Sequence, residues 1–279
     1  MGKTKSGKNY SMELNKFVSE AKKTYNISDF DMSYVIEKIT GKTRTMQIFD
    51  NTISNKEIAD CTQILKRYLN GEPLNKIFNE QNFFGFNFYI NNNVLAPRPE
   101  TEILVDNALK MIKDNQSVLD LCCGSGIIGL TIKKLRSDVA VTLSDISSDA
   151  LKVCRQNAEK LNVDVNILQS DLFENITGKF DFILSNPPYI KLGDKDTLDK
   201  GVLLYDPHIA LFGGDDGMLF YNRIMEQVND FLLPGGKIIF EIGYDIKRSI
   251  ENLATANNYD ITFIKDYNNI DRVAILKRK

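Results

Sequence analysis

The chain has 279 residues, long enough for one large domain and a small one. Hydrophobic residues make up 43% and charged residues 26%, and Lys+Arg of 35 against Asp+Glu of 37 leave a formal charge of -2. With that balance a long phosphate-tracking surface is not expected, and a local basic patch is still compatible with it. Cys61, Cys122, Cys123 and Cys154 include no C-x-x-C pair and His208 is the lone histidine, so no zinc site is expected. With no signal peptide and no bilayer-length apolar run, the reading is a cytoplasmic protein with reduced thiols and no membrane partner.

Met1 to Met12 are polar, carry Lys3, Lys5 and Lys8, and read as a flexible tail over residues 1–12. Helical spacing follows at Leu14, Phe17, Val18 and Ala21, at Met32, Val35, Ile36 and Ile39, and at Ile58, Cys61, Ile64, Leu65 and Tyr68. These stripes predict a small helical domain over residues 13–82. Phe83 to Ile90 is aromatic and strand-forming, and Asn91-Asn92-Asn93 suits a turn, so residues 83–96 read as a β-hairpin linker. A buried strand of the large domain is the alternative.

From residue 97 to 279 the pattern is that of an α/β domain. Strands are predicted at Ser117–Leu121, Ala140–Ser144, Val165–Gln169, Phe180–Ser185 and Lys237–Ile242, with helices such as Asp149–Leu161 and Met218–Leu232 between them. Such alternation predicts a Rossmann-like parallel sheet covered on both faces. Ile261–Tyr267 and Arg272–Lys277 add two more strand-like runs.

The first of these strands ends in Asp120-Leu121-Cys122-Cys123-Gly124-Ser125-Gly126, with a helix expected from about Ile127. Ligands of open α/β sheets bind at the carboxyl ends of the strands, where glycine admits a ligand to the backbone and a helix start offers free N–H groups. Gly124, Gly126 and Gly129 also spell G-x-G-x-x-G, so a nicotinamide dinucleotide is a competing ligand. Asp145 ends the second strand, where an acid accepts from ribose hydroxyls in either case. Asp120 tips the balance. It is placed to meet a cationic ammonium, such as that of a methionine moiety, and a pyrophosphate would be repelled there. Asp171 and Leu172 follow the third strand, where a polar residue can meet an adenine amino group or can cap a helix.

The fourth strand runs into Asn186-Pro187-Pro188-Tyr189. Prolines stiffen the backbone and remove donors, leaving free carbonyl acceptors. An NH2 on a planar carbon can donate one hydrogen to the Asn186 side chain and the other to the Pro187 carbonyl, with Tyr189 stacked on its flat face.

N-P-P-Y after the fourth strand, with D-x-x-x-G-S-G after the first, resembles the amino-methyltransferases, which act on adenine N6 or on protein glutamine. Further runs narrow the likeness: Gly71-Glu72-Pro73-Leu74, Phe84-Gly85-Phe86, Pro97 to Glu102, Ser170 to Phe173, Ala210 to Gly217, Pro234-Gly235-Gly236 and Glu241-Ile242-Gly243. In that order they resemble the peptide chain release factor glutamine methyltransferases, from about Leu69 to the C-terminus. The ribosomal-protein glutamine enzymes share N-P-P-Y but are not expected to carry the run Arg98 to Glu102.

The resemblance implies a helical release-factor-recognition domain, a hairpin linker and a catalytic domain that uses S-adenosyl-L-methionine. It implies methylation of the Gly-Gly-Gln glutamine of class 1 peptide chain release factors, with no direct nucleic-acid binding. Carried over by residue, Cys122, Cys123, Gly124, Ser125 and Gly126 form the donor loop. Asp145 lies on the ribose, Leu172 lies beside adenine, and Asn186, Pro187, Pro188 and Tyr189 hold the glutamine. Asn186 also lies against the donor, and Asn186, Pro187 and Tyr189 are the catalytic candidates. The family usually has Gly-Thr or a similar pair where this chain has Cys122-Cys123, and cysteine at the first position calls for an ordinary backbone conformation. No base is expected. Acceptors draw electron density toward the amide nitrogen, positioning supplies the rate, and the product proton leaves to water. Three other readings compete: an adenine-N6 enzyme, which must extract its base, a nicotinamide-dependent dehydrogenase, and a non-catalytic docking module.

Overall fold

The computed structural model describes residues 11–279, in two compact units with the chain dividing between Phe78 and Asn79. The expected tail lies outside the described residues except for Ser11 and Met12. Their backbone belongs to strand β1 (Ser11–Glu13), which pairs antiparallel with β2 (Thr52–Ser54).

The first unit is otherwise helical: α1 (Leu14–Tyr25), α2 (Asp29–Thr40), α3 (Arg44–Phe49), α4 (Asn55–Leu69) and α5 (Leu74–Ile77). The three apolar stripes face one another, burying Leu14, Phe17, Ala21, Met32, Val35, Ile36, Cys61 and Leu65. Ser28 caps α2, and Ser54 with Glu57 forms a reciprocal capping box at α4. Helix α3 was not legible as a stripe because it buries no residue, and it leaves Ile48 and Phe49 exposed.

The second unit opens with a hairpin, β3 (Glu80–Phe83) and β4 (Phe86–Tyr89). Its turn is Phe84-Gly85, both at positive φ, rather than the asparagine run. Two successive positive-φ residues match the twist of the flanking strands. Phe83 and Phe88 are buried in this unit's core.

There follow α6 (Thr101–Met111), β5 (Ser117–Leu121), α7 (Ile127–Leu135), β6 (Ala140–Asp145), α8 (Ser148–Leu161), β7 (Asn166–Gln169), β8 (Phe180–Ser185), α9 (Lys200–Tyr205), α10 (Leu219–Gln227), β9 (Leu232–Glu241), α11 (Lys247–Ala256), β10 (Tyr259–Lys265) and β11 (Asp271–Arg278). The sheet order is β10-β11-β9-β8-β5-β6-β7. The five strands from β9 to β7 are parallel, and β11 and β10 pair antiparallel. Helices cover both faces over two apolar layers, one centred on Val118, Leu143, Leu184 and Ile239, the other on Leu119, Ile183, Ile238 and Phe240.

Strand β9 starts five residues before its predicted start at Lys237, and α10 ends at Gln227 instead of Leu232. Pro234-Gly235-Gly236 hid this start. Phe180 pairs with Leu232 but Phe182 pairs with Lys237, so the run is a bulge inside the strand. Among the described residues, no helix is long and apolar enough to cross a membrane.

Candidate active site

Strand order reverses between β5 and β8, where an open α/β sheet leaves a crevice. A cleft of about 240 Å³ opens there. Its walls are Cys122 to Ser125 after β5, Ser144 to Ser147 at the end of β6, Ser170 to Leu172 after β7, and Asn186 and Pro188 after β8. The opposite side is closed by Asn93 to Leu95, Pro97 and Thr101, by Pro207, Ile209 and Ala210, and by Phe220 and Arg223 of α10.

Cys122 corrects the sequence reading. Its φ is 58°, in the left-handed region, and not the ordinary backbone expected of a cysteine. A non-glycine residue there costs about 1–2 kcal/mol. Neighbouring bonds impose it: Cys123 N–H donates to the Ser144 carbonyl at 3.0 Å, and Gly126 N–H to the Cys123 carbonyl at 2.8 Å. The glycines of this loop have separate duties. A Cβ at Gly126 would stand 2.6 Å from Cys154 Sγ, and one at Gly129 2.9 Å from Leu143 Cδ2, so both permit close packing of the helix. Gly124 has nothing within 4 Å of its missing Cβ, which leaves its backbone open to a ligand.

The Asp145 carboxylate is held by two backbone donors, Gly124 N–H at 2.8 Å and Ser147 N–H at 2.9 Å. Burial pushes its carboxyl above the usual range, and the backbone hydrogen bonds oppose that shift. Each oxygen keeps a lone pair for another donor. Asp120 is not on the cleft wall. It is fully buried behind the loop, one oxygen accepting from Gly129 N–H at 2.9 Å and the other, Oδ1, without a partner. Burial pushes its carboxyl up to about 7. Ser144 Oγ, on the wall itself, is a second buried polar atom without a partner. Unmet acceptors and an open glycine beside a carboxylate fit a ligand that carries hydroxyls and a cation, while Ile146 and Leu172 give an apolar wall suited to a flat ring.

Asp171 lies on the wall and does not cap a helix. Its carboxylate takes a hydrogen bond from the Arg223 guanidinium at 2.9 Å. Leu172 is buried at φ 50°, and its carbonyl accepts from Ser170 Oγ at 2.7 Å.

On the far side of β5, Asn186 is half-buried on the wall, and its side chain makes no hydrogen bond among the described residues. Pro188 also lines the cleft, whereas Pro187, Tyr189 and Gly126 lie behind the wall. The Tyr189 ring passes close to Gly243, where a Cβ would meet its Cδ2 at 3.1 Å. Burial pushes the Tyr189 hydroxyl up to about 12. The loop from Gly213 to Gly217 presses on the same backbone. A Cβ at Gly213 would stand 2.5 Å from the Pro188 carbonyl oxygen, and one at Gly217 2.4 Å from that of Tyr189. The Ala210 to Gly217 run therefore clamps Asn186 to Tyr189 by close backbone contact.

Three further residues join the site to which the sequence reading gave no role, although Thr101 and Glu241 lie in the quoted runs Pro97 to Glu102 and Glu241 to Gly243. Arg223 anchors Asp171, and Thr101 on the wall donates its hydroxyl to buried Glu241 at 2.7 Å.

Comparisons with known proteins agree with this geometry. The family model described as methyltransferase small domain matches residues 99–201. The chain is 38% identical over 260 residues to the release factor glutamine methyltransferase of Clostridium acetobutylicum, spanning 88% of this chain and 89% of that one. It is 33% identical over 259 residues to the protein of that name from Agrobacterium fabrum, spanning 89% and 90%. Among solved structures it resembles a methyltransferase from Pyrococcus furiosus with a TM-score of 0.54 at 19% identity, over 77% of this chain and 98% of that one, a likeness of fold alone.

Proposed function

The chain belongs to the release factor glutamine methyltransferases, and from that we propose that Asn186 to Tyr189 present a glutamine amide of a class 1 release factor to a methyl donor held over Cys122 to Gly126. The protein is an S-adenosylmethionine-dependent methyltransferase, and its acceptor is a release factor glutamine. The relatives do not favour the adenine-N6 alternative. A cytoplasmic location goes with that partner.

S-adenosylmethionine supplies an electrophilic methyl group on a cationic sulfur. On the donor side, Gly124 and Ser125 offer backbone to its methionine end. Asp145 accepts from the ribose hydroxyls with the lone pairs that Gly124 and Ser147 leave free. Leu172 and Ile146 flank the adenine, and Asp171, fixed by Arg223, lies near its amino group. Buried Asp120 supplies negative charge beneath the loop.

On the acceptor side, an amide nitrogen is a weak nucleophile because its lone pair is delocalised into the carbonyl. The Asn186 side-chain oxygen and the Pro187 carbonyl each accept one N–H, which orients the NH2 and draws density toward nitrogen. Tyr189 backs this pocket with its ring against Gly243. Rate then comes chiefly from holding nitrogen and methyl in line.

The observation that carries this reading is the placement of Asn186, unpaired, on the same wall system as Asp145 and Gly124. Asn186→Ala should leave donor affinity nearly unchanged and slow methylation of a release factor on the order of a hundredfold. Asn186→Asp, which still accepts, should lose less. Mass spectrometry of a release factor treated with each variant decides the matter. A wild-type rate for the alanine variant would reduce Asn186 to Tyr189 to a turn, and label on DNA instead of release factor would replace the acceptor.

A further inference from the structure

Glu241 is a carboxylate buried at the edge of the cleft that the reading above leaves without a task. It ends β9, and the last paired positions of β8 and β9 are Ser185 and Phe240. The next residue on each strand is Asn186 and Glu241, so the two emerge from neighbouring parallel strands, whose usual spacing is about 4.8 Å. Glu241 follows the face of Ile239 and Val273, toward α6. It is 2% exposed, and Thr101 Oγ1 donates to its Oε2 at 2.7 Å. Thr101 itself lines the cleft that holds Asn186.

The surroundings are charged on several sides. Arg98 and Arg272 favour the ionised carboxylate, and Glu100 opposes it. Arg272 is itself held by Asp266 at 3.0 Å. Tyr221 of α10 spends its hydroxyl on the Glu241 backbone carbonyl at 2.7 Å, and Tyr189 is influenced by the Glu241 charge. Burial outweighs these partners and pushes the carboxyl up to about 6. A hydroxyl whose proton is engaged by a carboxylate turns only lone pairs toward the cleft. Thr101 therefore presents an acceptor on the cleft wall, to which the N–H proton held by the Pro187 carbonyl can turn as the nitrogen becomes tetrahedral.

We propose, resting on the glutamine methylation above, that Glu241 takes that proton through the Thr101 hydroxyl. The nitrogen lone pair forms the bond to methyl, and the methyl–sulfur bond breaks with its electron pair left on sulfur. As methyl arrives, one N–H bond of that nitrogen breaks in the same step, and its proton goes to Thr101 Oγ1. The proton already on Thr101 passes to Glu241 Oε2. Thr101 ends as it began, Glu241 ends as a neutral acid, and the product is a neutral N-methyl amide. Glu241 thus acts through Thr101 and never touches the substrate.

The test uses the full chain, saturating S-adenosylmethionine and an intact release factor, with single-turnover rates from pH 5 to 9. The wild-type rate should fall about tenfold per pH unit below a pKa of about 6, where Glu241 becomes protonated. Glu241→Gln keeps the shape and can still accept from Thr101. It should be slower on the order of a hundredfold above that pH, should lose the acid limb, and should keep wild-type donor affinity and melt no lower than wild type, since a buried charge is removed. Asp120 and Asp145 are present in both proteins, so the difference between the two profiles isolates Glu241. Thr101→Val should show the same loss, Thr101→Ser should recover activity, and the double variant should be no slower than either single one. A Glu241→Gln rate equal to wild type, or a slow variant that keeps the acid limb, overturns the proposal. If Glu241→Gln fails to fold, a wild-type rate for Thr101→Val overturns it equally. Absence of methylation by the wild-type chain would instead overturn the parent reading.

Discussion

Gly213→Ala separates positioning from chemistry, because residue 213 touches neither proposed ligand. Its φ is not in the left-handed region, so alanine brings no backbone strain of its own. It brings a Cβ 2.5 Å from the Pro188 carbonyl oxygen and 2.9 Å from Tyr189 Cα. Ordinary carbon contacts lie near 3.5–4 Å, so one backbone has to move by roughly 1 Å. Both atoms in the way belong to the segment proposed to hold the glutamine. A misplacement of that size costs on the order of a hundredfold in rate. Overpacking should also lower stability by about 1–3 kcal/mol. The assay is turnover on a release factor alongside calorimetric titration of S-adenosylmethionine, whose site lies across β5 and should bind as before. Gly193→Ala, with nothing within 4 Å and no positive φ, is the control and should be silent. A folded Gly213→Ala protein with wild-type turnover would refute the claim that this loop clamps Asn186 to Tyr189.

Asp145→Ala removes a charged acceptor worth about 1.5–3 kcal/mol, so donor affinity measured by calorimetry should drop roughly 10- to 150-fold. Asp120→Asn keeps an oxygen for Gly129 N–H and removes a buried charge. The folded-state pKa of Asp120 is raised, so the stability tied to its neutral form is complete below the unfolded value of 3.8 and is lost as pH rises through about 7. The asparagine variant without donor should therefore melt higher than wild type at pH 8, by on the order of 2–4 kcal/mol, with the gap closing toward pH 4. A pH-independent gap in thermal melts would rule out this titration. A chain beginning at Asn79, so that β3 stays whole, should bind donor but methylate intact release factor poorly. Full activity of that form would remove the recognition role proposed for the helical domain.

The parts of the fold legible in the sequence were those with local causes. Ser117–Leu121 and Phe180–Ser185 are short apolar runs that the sheet buries on both faces, and both appear with the boundaries their composition suggests. The start of β9 was hidden because a bulge at Pro234-Gly235-Gly236 looks like a loop until its partner strand is known. In the site, the place of Asp145 on the cleft wall was readable from its position at a strand end. The burial of Asp120 behind that wall was not, because it depends on a bond to Gly129 on the following helix. Arg223 and Asp171 are 52 residues apart, and Thr101 and Glu241 are 140 apart. Such pairs have no periodicity or spacing to betray them. Only the order of strands brings them together.

Strain is placed unevenly in this cleft, and the placement follows from the chemistry. Cys122 and Leu172 are both non-glycine residues at positive φ, each just beyond a strand end on the donor side. Each is over-determined by neighbouring bonds, from Cys123 N–H to the Ser144 carbonyl and from Ser170 Oγ to the Leu172 carbonyl. Strained backbone persists only where surroundings enforce it. The donor is a small molecule with a fixed shape, so a rigid, prebuilt wall reduces the ordering cost of binding it. The acceptor side uses other means. Consecutive prolines stiffen its backbone, and Gly213 and Gly217 let a second loop brace it without side chains. That arrangement leaves the polar atoms around Asn186 free for a glutamine carried on a separate protein. On the proposed reading, rigid surfaces on both sides of β5 would fix the distance between methyl and nitrogen, and that distance is what a reaction between a weak nucleophile and a strong electrophile requires.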